Sequence, residues 1–109
     1  MTVESFVQKS GVKTVCLPSP DKEVVGAYIG DLLSWVMGRA SAGNVWVTIM
    51  SNVNIVAVAT LADVSCILLA EGVVPDDDAL TLAQAKGINV LTSDLSAYEL
   101  ARLITETLS

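Results

Sequence analysis

The six residues Ser65-Cys-Ile-Leu-Leu-Ala70 carry no charge and nothing polar after the first position. A strand of that composition is stable when both its faces are covered, the situation of a central strand in a parallel sheet. Helix-like and strand-like segments alternate on either side of it, with short connections. Repeated β-α units joined so briefly imply an α/β fold, a three-layer α/β/α sandwich with a mainly parallel sheet. The 109 residues fit one such domain, spanning 1–109, and no linker, low-complexity stretch or repeat divides it.

The segments follow from local signals. Thr2 can cap a short helix that turns Val3, Phe6 and Val7 inward, and Gly11 can end it. Val12 to Leu17 reads as a strand, Pro18 to Asp21 as a turn, and Val24 to Ile29 as a second strand. Gly30-Asp31 opens a helix through about Gly38, and Asn44 to Met50 is a strand with Val45, Val47 and Ile49 on one face. Ser51-Asn52 turns the chain into a helix running to about Ala62. Pro75 with Asp76, Asp77 and Asp78 starts another helix, its acids matching the positive end of the dipole, and Gly87 ends it. Ile88 to Leu91 is the last strand. Ser96-x-x-Glu99 is a capping box for a final helix with the inward stripe Ala97, Leu100, Ala101, Ile104 and Leu108.

Charge narrows the partners. The net charge is −6, and the six basic residues are scattered, so neither nucleic acid nor an anionic membrane is an expected partner. The longest nearly apolar run, Val53 to Ala62, is far short of a membrane span. The start Met-Thr-Val-Glu-Ser lacks the features of a signal peptide, and a cytoplasmic location is expected.

The chemistry of most enzymes is missing. There is no histidine, so no Ser-His or Cys-His pair can form. Neither a P-loop nor a dinucleotide fingerprint occurs, and no close Cys or His spacing suits zinc. Asp76-Asp77-Asp78 lacks the interleaved spacing of a calcium loop and is accounted for as the start of a helix. No catalytic residue, cofactor or metal is therefore expected, although Asp31, Glu71 and Asp94 all fall near strand ends. Cys16 and Cys66 lie in separate apolar runs and read as reduced core thiols.

A ligand of an open α/β sheet sits at the carboxyl ends of the strands. Here those ends are Gly30-Asp31, Ser51-Asn52-Val53-Asn54, Glu71-Gly72 and Thr92-Ser93-Asp94. Asp31, Ser51, Asn52 and Asn54 are the candidate ligand contacts, since free amide groups at a helix start suit an anion. Asp31 also reads as a plain helix cap, and so does one of Ser51, Asn52 and Asn54, though three polar side chains exceed the need for one cap; Thr92 and Ser93 read as loop polar groups.

Asp21-Lys-Glu-Val-Val-Gly-Ala-Tyr-Ile-Gly-Asp-Leu-Leu-Ser34 resembles the signature region of DRTGG domains, with Gly26-Ala27 where that family has a Gly-Gly pair. Glu71-Gly-Val-Val-Pro-Asp76, Ala85 to Leu91 and Leu95 to Ala101 are similar to the family's second half. The resemblance implies an α/β sandwich related to the N-terminal domain of HPr kinase. Such domains are accessory parts of pyrophosphatases regulated through nucleotide-binding CBS domains, and of long phosphotransacetylases. Single-domain members occur in some anaerobic bacteria near hydrogenase-related genes. The resemblance carries no catalytic residues.

The reading that results is a non-catalytic regulatory module that self-associates and takes a small anionic or nucleotide-like metabolite. The alternative is an adaptor subunit of a metabolic or redox (hydrogenase-related) complex, with a protein partner and no small ligand. A homodimer is expected because two helices look too apolar to be hidden in so small a domain. The expected contact surface is Leu32, Trp35, Val36, Ile55, Val58 and Ala59.

Overall fold

A computed structural model describes residues 1–109. The elements run α1 (Val3–Ser10), β1 (Lys13–Cys16), β2 (Gly26–Ile29), α2 (Leu33–Arg39), β3 (Asn44–Thr48), α3 (Asn54–Ala62), β4 (Cys66–Leu69), α4 (Asp77–Lys86), β5 (Val90–Thr92) and α5 (Ala97–Leu108). The sheet order is β1-β5-β4-β3-β2, so the charge-free β4 is indeed central. Strands β2 to β5 are parallel, and only β1 runs antiparallel, against β5.

Alternation along the strands divides the core in two. Val45, Val47, Cys66, Leu68 and Leu91 point to one face, where Val3 and Phe6 of α1 and Leu100 and Ile104 of α5 cover them. Trp46, Ile67, Leu69 and Val90 point to the other, under Val36 of α2, Ile55 and Ala59 of α3, and Ala79 and Ala83 of α4. Helices on both faces of a mainly parallel sheet make the expected α/β/α sandwich.

The caps behave as their chemistry dictates. Thr2 Oγ1 accepts from the Ser5 amide at 3.1 Å, and Gly11 ends α1 at φ 78°. Ser96 and Glu99 form the complete capping box. Within α5, Leu100 and Ile104 are buried as the stripe requires, while Ala101 is only half-buried. Thr107 is buried too, its hydroxyl donating to the Leu103 carbonyl at 2.7 Å.

The expectation that Val36, Ile55, Val58 and Ala59 lie on an exposed apolar surface is corrected. α3 is the middle helix of its layer, between α2 and α4, so its sides are covered as well as its sheet face. Ile55, Val58 and Ala59 are buried within the protomer, and so is Val36 of α2. A side chain already enclosed by its own chain cannot meet a second copy, so these four are core residues. Of the six residues expected at a dimer contact, only Leu32 and Trp35 are exposed.

Candidate ligand site

The carboxyl ends of β2 to β5 share one rim of the sheet because those strands are parallel. Asp31 follows β2 there, but it does not cap α2, whose N-cap is Leu32 without a side-chain bond. Instead Asp31 Oδ1 accepts from Thr48 Oγ1 at 2.7 Å and from the Ile49 amide at 3.1 Å. The carboxylate ties the exit of β2 to the exit of β3, and its second oxygen has no partner in the protein. Trp46 Nε1 donates to the Gly30 carbonyl at 2.9 Å and fixes the same turn from beneath.

Ser51, Asn52 and Asn54 lie where α3 begins. Asn52 Oδ1 accepts from the Asn54 amide at 2.9 Å, so Asn52 is the residue that caps this helix start. The Ile55 amide donates to the Asn52 carbonyl and the Val56 amide to the Val53 carbonyl, both at 3.2 Å. The Asn54, Ile55 and Val56 amides are therefore engaged, and of this turn only the Val53 amide is left without an acceptor. Also available are the Asn52 side-chain NH₂, the Asn54 side chain and the Ser51 hydroxyl. No concavity of the surface is lined by Asp31, Ser51, Asn52 or Asn54.

The crossovers change face between β4 and β5: the chain leaves β4 for α4 on one side and β5 for α5 on the other. Such a switch point is where α/β sheets usually open a crevice for a ligand. Here the two loops close it. The Glu71 amide donates to the Leu95 carbonyl and the Gly72 amide to the Ser93 carbonyl, both at 2.9 Å. Thr92 Oγ1 donates to the Val73 carbonyl at 2.7 Å. Glu71 and Gly72 both take left-handed backbone angles, φ 61° and 74°, to make this turn. A Cβ on Gly72 would stand 3.1 Å from Asp94 Oδ1, so glycine leaves room for that carboxylate.

Beside the closed switch point, an open cleft of about 270 Å³ is lined by Ser10, Lys13, Ser93 and Asp94, with Leu95 and Leu103 on its apolar side. Sequence reasoning passed over it, because Lys13 and Asp94 are 81 positions apart by number and meet only through the antiparallel pairing of Lys13 with Thr92.

The two thiols stand on opposite faces of the sheet, Cys16 in one core cluster and Cys66 in the other. Both are buried and free. Burial pushes the Cys66 thiol up to about 12, against a smaller opposing pull from the Lys22 charge. Burial raises Cys16 as well, outweighing a hydrogen bond to the Val90 backbone. No helix is long and apolar enough to cross a membrane.

The sequence profile of the DRTGG domain matches residues 22–107. No curated protein matches the chain in sequence. Among solved structures, the chain is similar to the crystal structure of the CBS and DRTGG domains of the regulatory region of Clostridium perfringens pyrophosphatase, complexed with the activator diadenosine tetraphosphate. The TM-score is 0.73 at 19% identity, and the match covers 98% of this chain and 47% of that one. The chain thus spans about half the length of that regulatory region, and the likeness is one of fold.

Proposed function

The chain belongs to the DRTGG domain family, and we propose that it is a non-catalytic regulatory module that self-associates and responds to a small anionic or nucleotide-like ligand. The observation that carries this reading is the uncovered β2 edge. The strand Gly26-Ala-Tyr-Ile29 has no charge and no proline, and beyond the Thr2–Glu23 bridge at its entry no strand pairs with its outer side; its shortness, four residues, is its one guard against pairing. Exposed apolar side chains flank it: Ile29 and Ile49 toward the α5 face, and Leu32, Trp35 and Met37 along α2. Two charges lie nearby: Asp31, with one oxygen held by Thr48 and Ile49 and its charge unpaired, and the Arg39 guanidinium, stacked on the Trp35 ring at 3.8 Å.

A second copy suits this surface. Each chain carries a net charge of −6, so two copies meet with least repulsion where acids are few, and neither β2 nor α2 contains one. A two-fold axis beside β2 would set Trp35 and Leu32 against their equivalents, and aromatic and methionine side chains are favoured at such contacts. The ligand contacts proposed are Asp31, Ser51, Asn52 and Asn54, on the rim next to this edge. A ligand there would sense whether the edge is paired, which is how a domain without catalytic groups can regulate. The solved regulatory region of the pyrophosphatase holds a nucleotide activator, and this agrees with a nucleotide-like ligand for the present chain.

A thermal-shift series with nucleotides and acyl phosphates tests the reading. A ligand that binds only the folded state raises the melting temperature. A rise with at least one nucleotide, lost in Asn52→Ala or Asn54→Ala, is the expected result. No shift with any of them would favour a protein-binding adaptor.

A further inference from the structure

We propose that the cleft between the α1–β1 turn and the β5–α5 loop is a binding site for a small zwitterion of α-amino-acid size. It is separate from the β2 edge and from the start of α3, and it does not rest on the function proposed above.

Two charges of opposite sign line this cleft and do not neutralise each other. Lys13 and Asp94 both border it. The ion pairs of the chain are Lys22–Asp63, Arg102–Glu106 and the amino terminus with Glu23, so neither Lys13 nor Asp94 has an ionic partner. Opposite charges that share a concavity without touching leave a gap that a molecule carrying both signs would bridge.

The hydroxyls around the cleft point to the same chemistry. Ser10 Oγ accepts from the Val12 amide at 3.4 Å, and Ser93 Oγ accepts from the Leu95 amide at 3.1 Å. Each oxygen is used as an acceptor, which leaves its proton free to donate. Two hydroxyl donors and the Lys13 ammonium form a receptor for a carboxylate. The Asp94 carboxylate, able only to accept, suits an ammonium. Leu95 and Leu103 supply an apolar wall for a side chain. The volume, about 270 Å³, lies just below the ~300–1,000 Å³ of ordinary ligand pockets and selects a small molecule.

The backbone holds both charged residues in place. Gly11, at φ 78°, ends α1 and turns the chain so that Lys13 pairs with Thr92 two residues before Asp94. Gly72 leaves the room that Asp94 occupies, since a Cβ there would press on its Oδ1 at 3.1 Å.

The test is an amide-resonance titration of the full chain with each of the proteinogenic amino acids at millimolar concentration. Their N-acetyl and methyl-ester forms are added in parallel, each lacking one charge. At least one free amino acid is expected to shift the resonances of residues 10–13 and 92–95, while its two blocked forms do not. Lys13→Met and Asp94→Asn, both at exposed positions, should each weaken binding by roughly tenfold or more. The proposal is overturned if no amino acid moves those resonances, or if affinity is unchanged in both variants. A nucleotide titration run alongside reads residues 31 and 51–54. A response there with silence at the cleft removes the zwitterion site and leaves the regulatory reading standing.

Discussion

Thr48 Oγ1 donates to Asp31 Oδ1 at 2.7 Å, and this bond joins the exits of β2 and β3 at the rim of the sheet. Thr48 is 2% exposed, so its hydroxyl depends on that partner, while the same hydroxyl oxygen accepts from the Met50 amide at 3.3 Å. Asp31→Ala removes the acceptor of a buried donor and should lower stability by about 1–2 kcal/mol. Asp31→Asn keeps an acceptor oxygen and should lose less than half as much. Urea midpoints at constant m-value distinguish the two.

Asn89 is the other polar anchor, and it lies inside the core. Its Nδ2 donates to the Ser19 carbonyl at 2.7 Å and the Ser65 carbonyl at 2.9 Å, and its Oδ1 accepts from the Ser19 amide at 2.8 Å. The side chain thus ties the turn after β1 to the entries of β4 and β5. Asn89→Leu strands three backbone groups at once and should destabilise by about 2–3 kcal/mol. A variant within 0.5 kcal/mol of the parent, by the scatter typical of surface changes, would show that water replaces these bonds.

Cys66 gives stability an alkaline limit. Burial pushes its thiol in the folded chain up to about 12 from the ordinary 9.0. Below pH 9 both states keep the proton, and the contribution is fully present. As the pH rises from 9 toward 12, only the unfolded chain loses it, so stability falls by about 1.4 kcal/mol per pH unit from this group. Cys16 acts in the same direction. Cys66→Ala should flatten the slope above pH 9 relative to the parent, and an identical slope would contradict the assignment.

The order of layers was legible in the sequence because each signal there is local. The charge-free run around Ile67 and Leu68 demanded cover on both faces, and the Ser96–Glu99 capping box and Gly11 each fix a helix end by their own chemistry. The misplaced dimer residues have a different origin. Ile55 and Val58 are apolar in the same way as an exposed interface residue, and only the flanking positions of α2 and α4, set by tertiary packing, decide that they are enclosed. The role of Asp31 was hidden for a similar reason: its partners lie 17 and 18 positions away on a neighbouring strand. Nothing in the letters around Asn89 separates it from the apolar strand it precedes, yet its three bonds are all long-range.

Trp35 and Trp46 report separately on the surface and the core. Trp46 is fully buried, whereas Trp35 is 52% exposed beneath the Arg39 guanidinium. Iodide should quench only Trp35 in the separated chain and neither residue in the dimer. Quenching of Trp35 that is independent of protein concentration would contradict its place at the contact.

Mass by light scattering at micromolar concentration tests the self-associating module most directly. The parent protein should show twice the chain mass of 11.4 kDa. Trp35→Glu should show 11.4 kDa, with its melting temperature little changed. A parent mass of 11.4 kDa across the micromolar range, or a dimer that persists in Trp35→Glu, would contradict self-association through this contact.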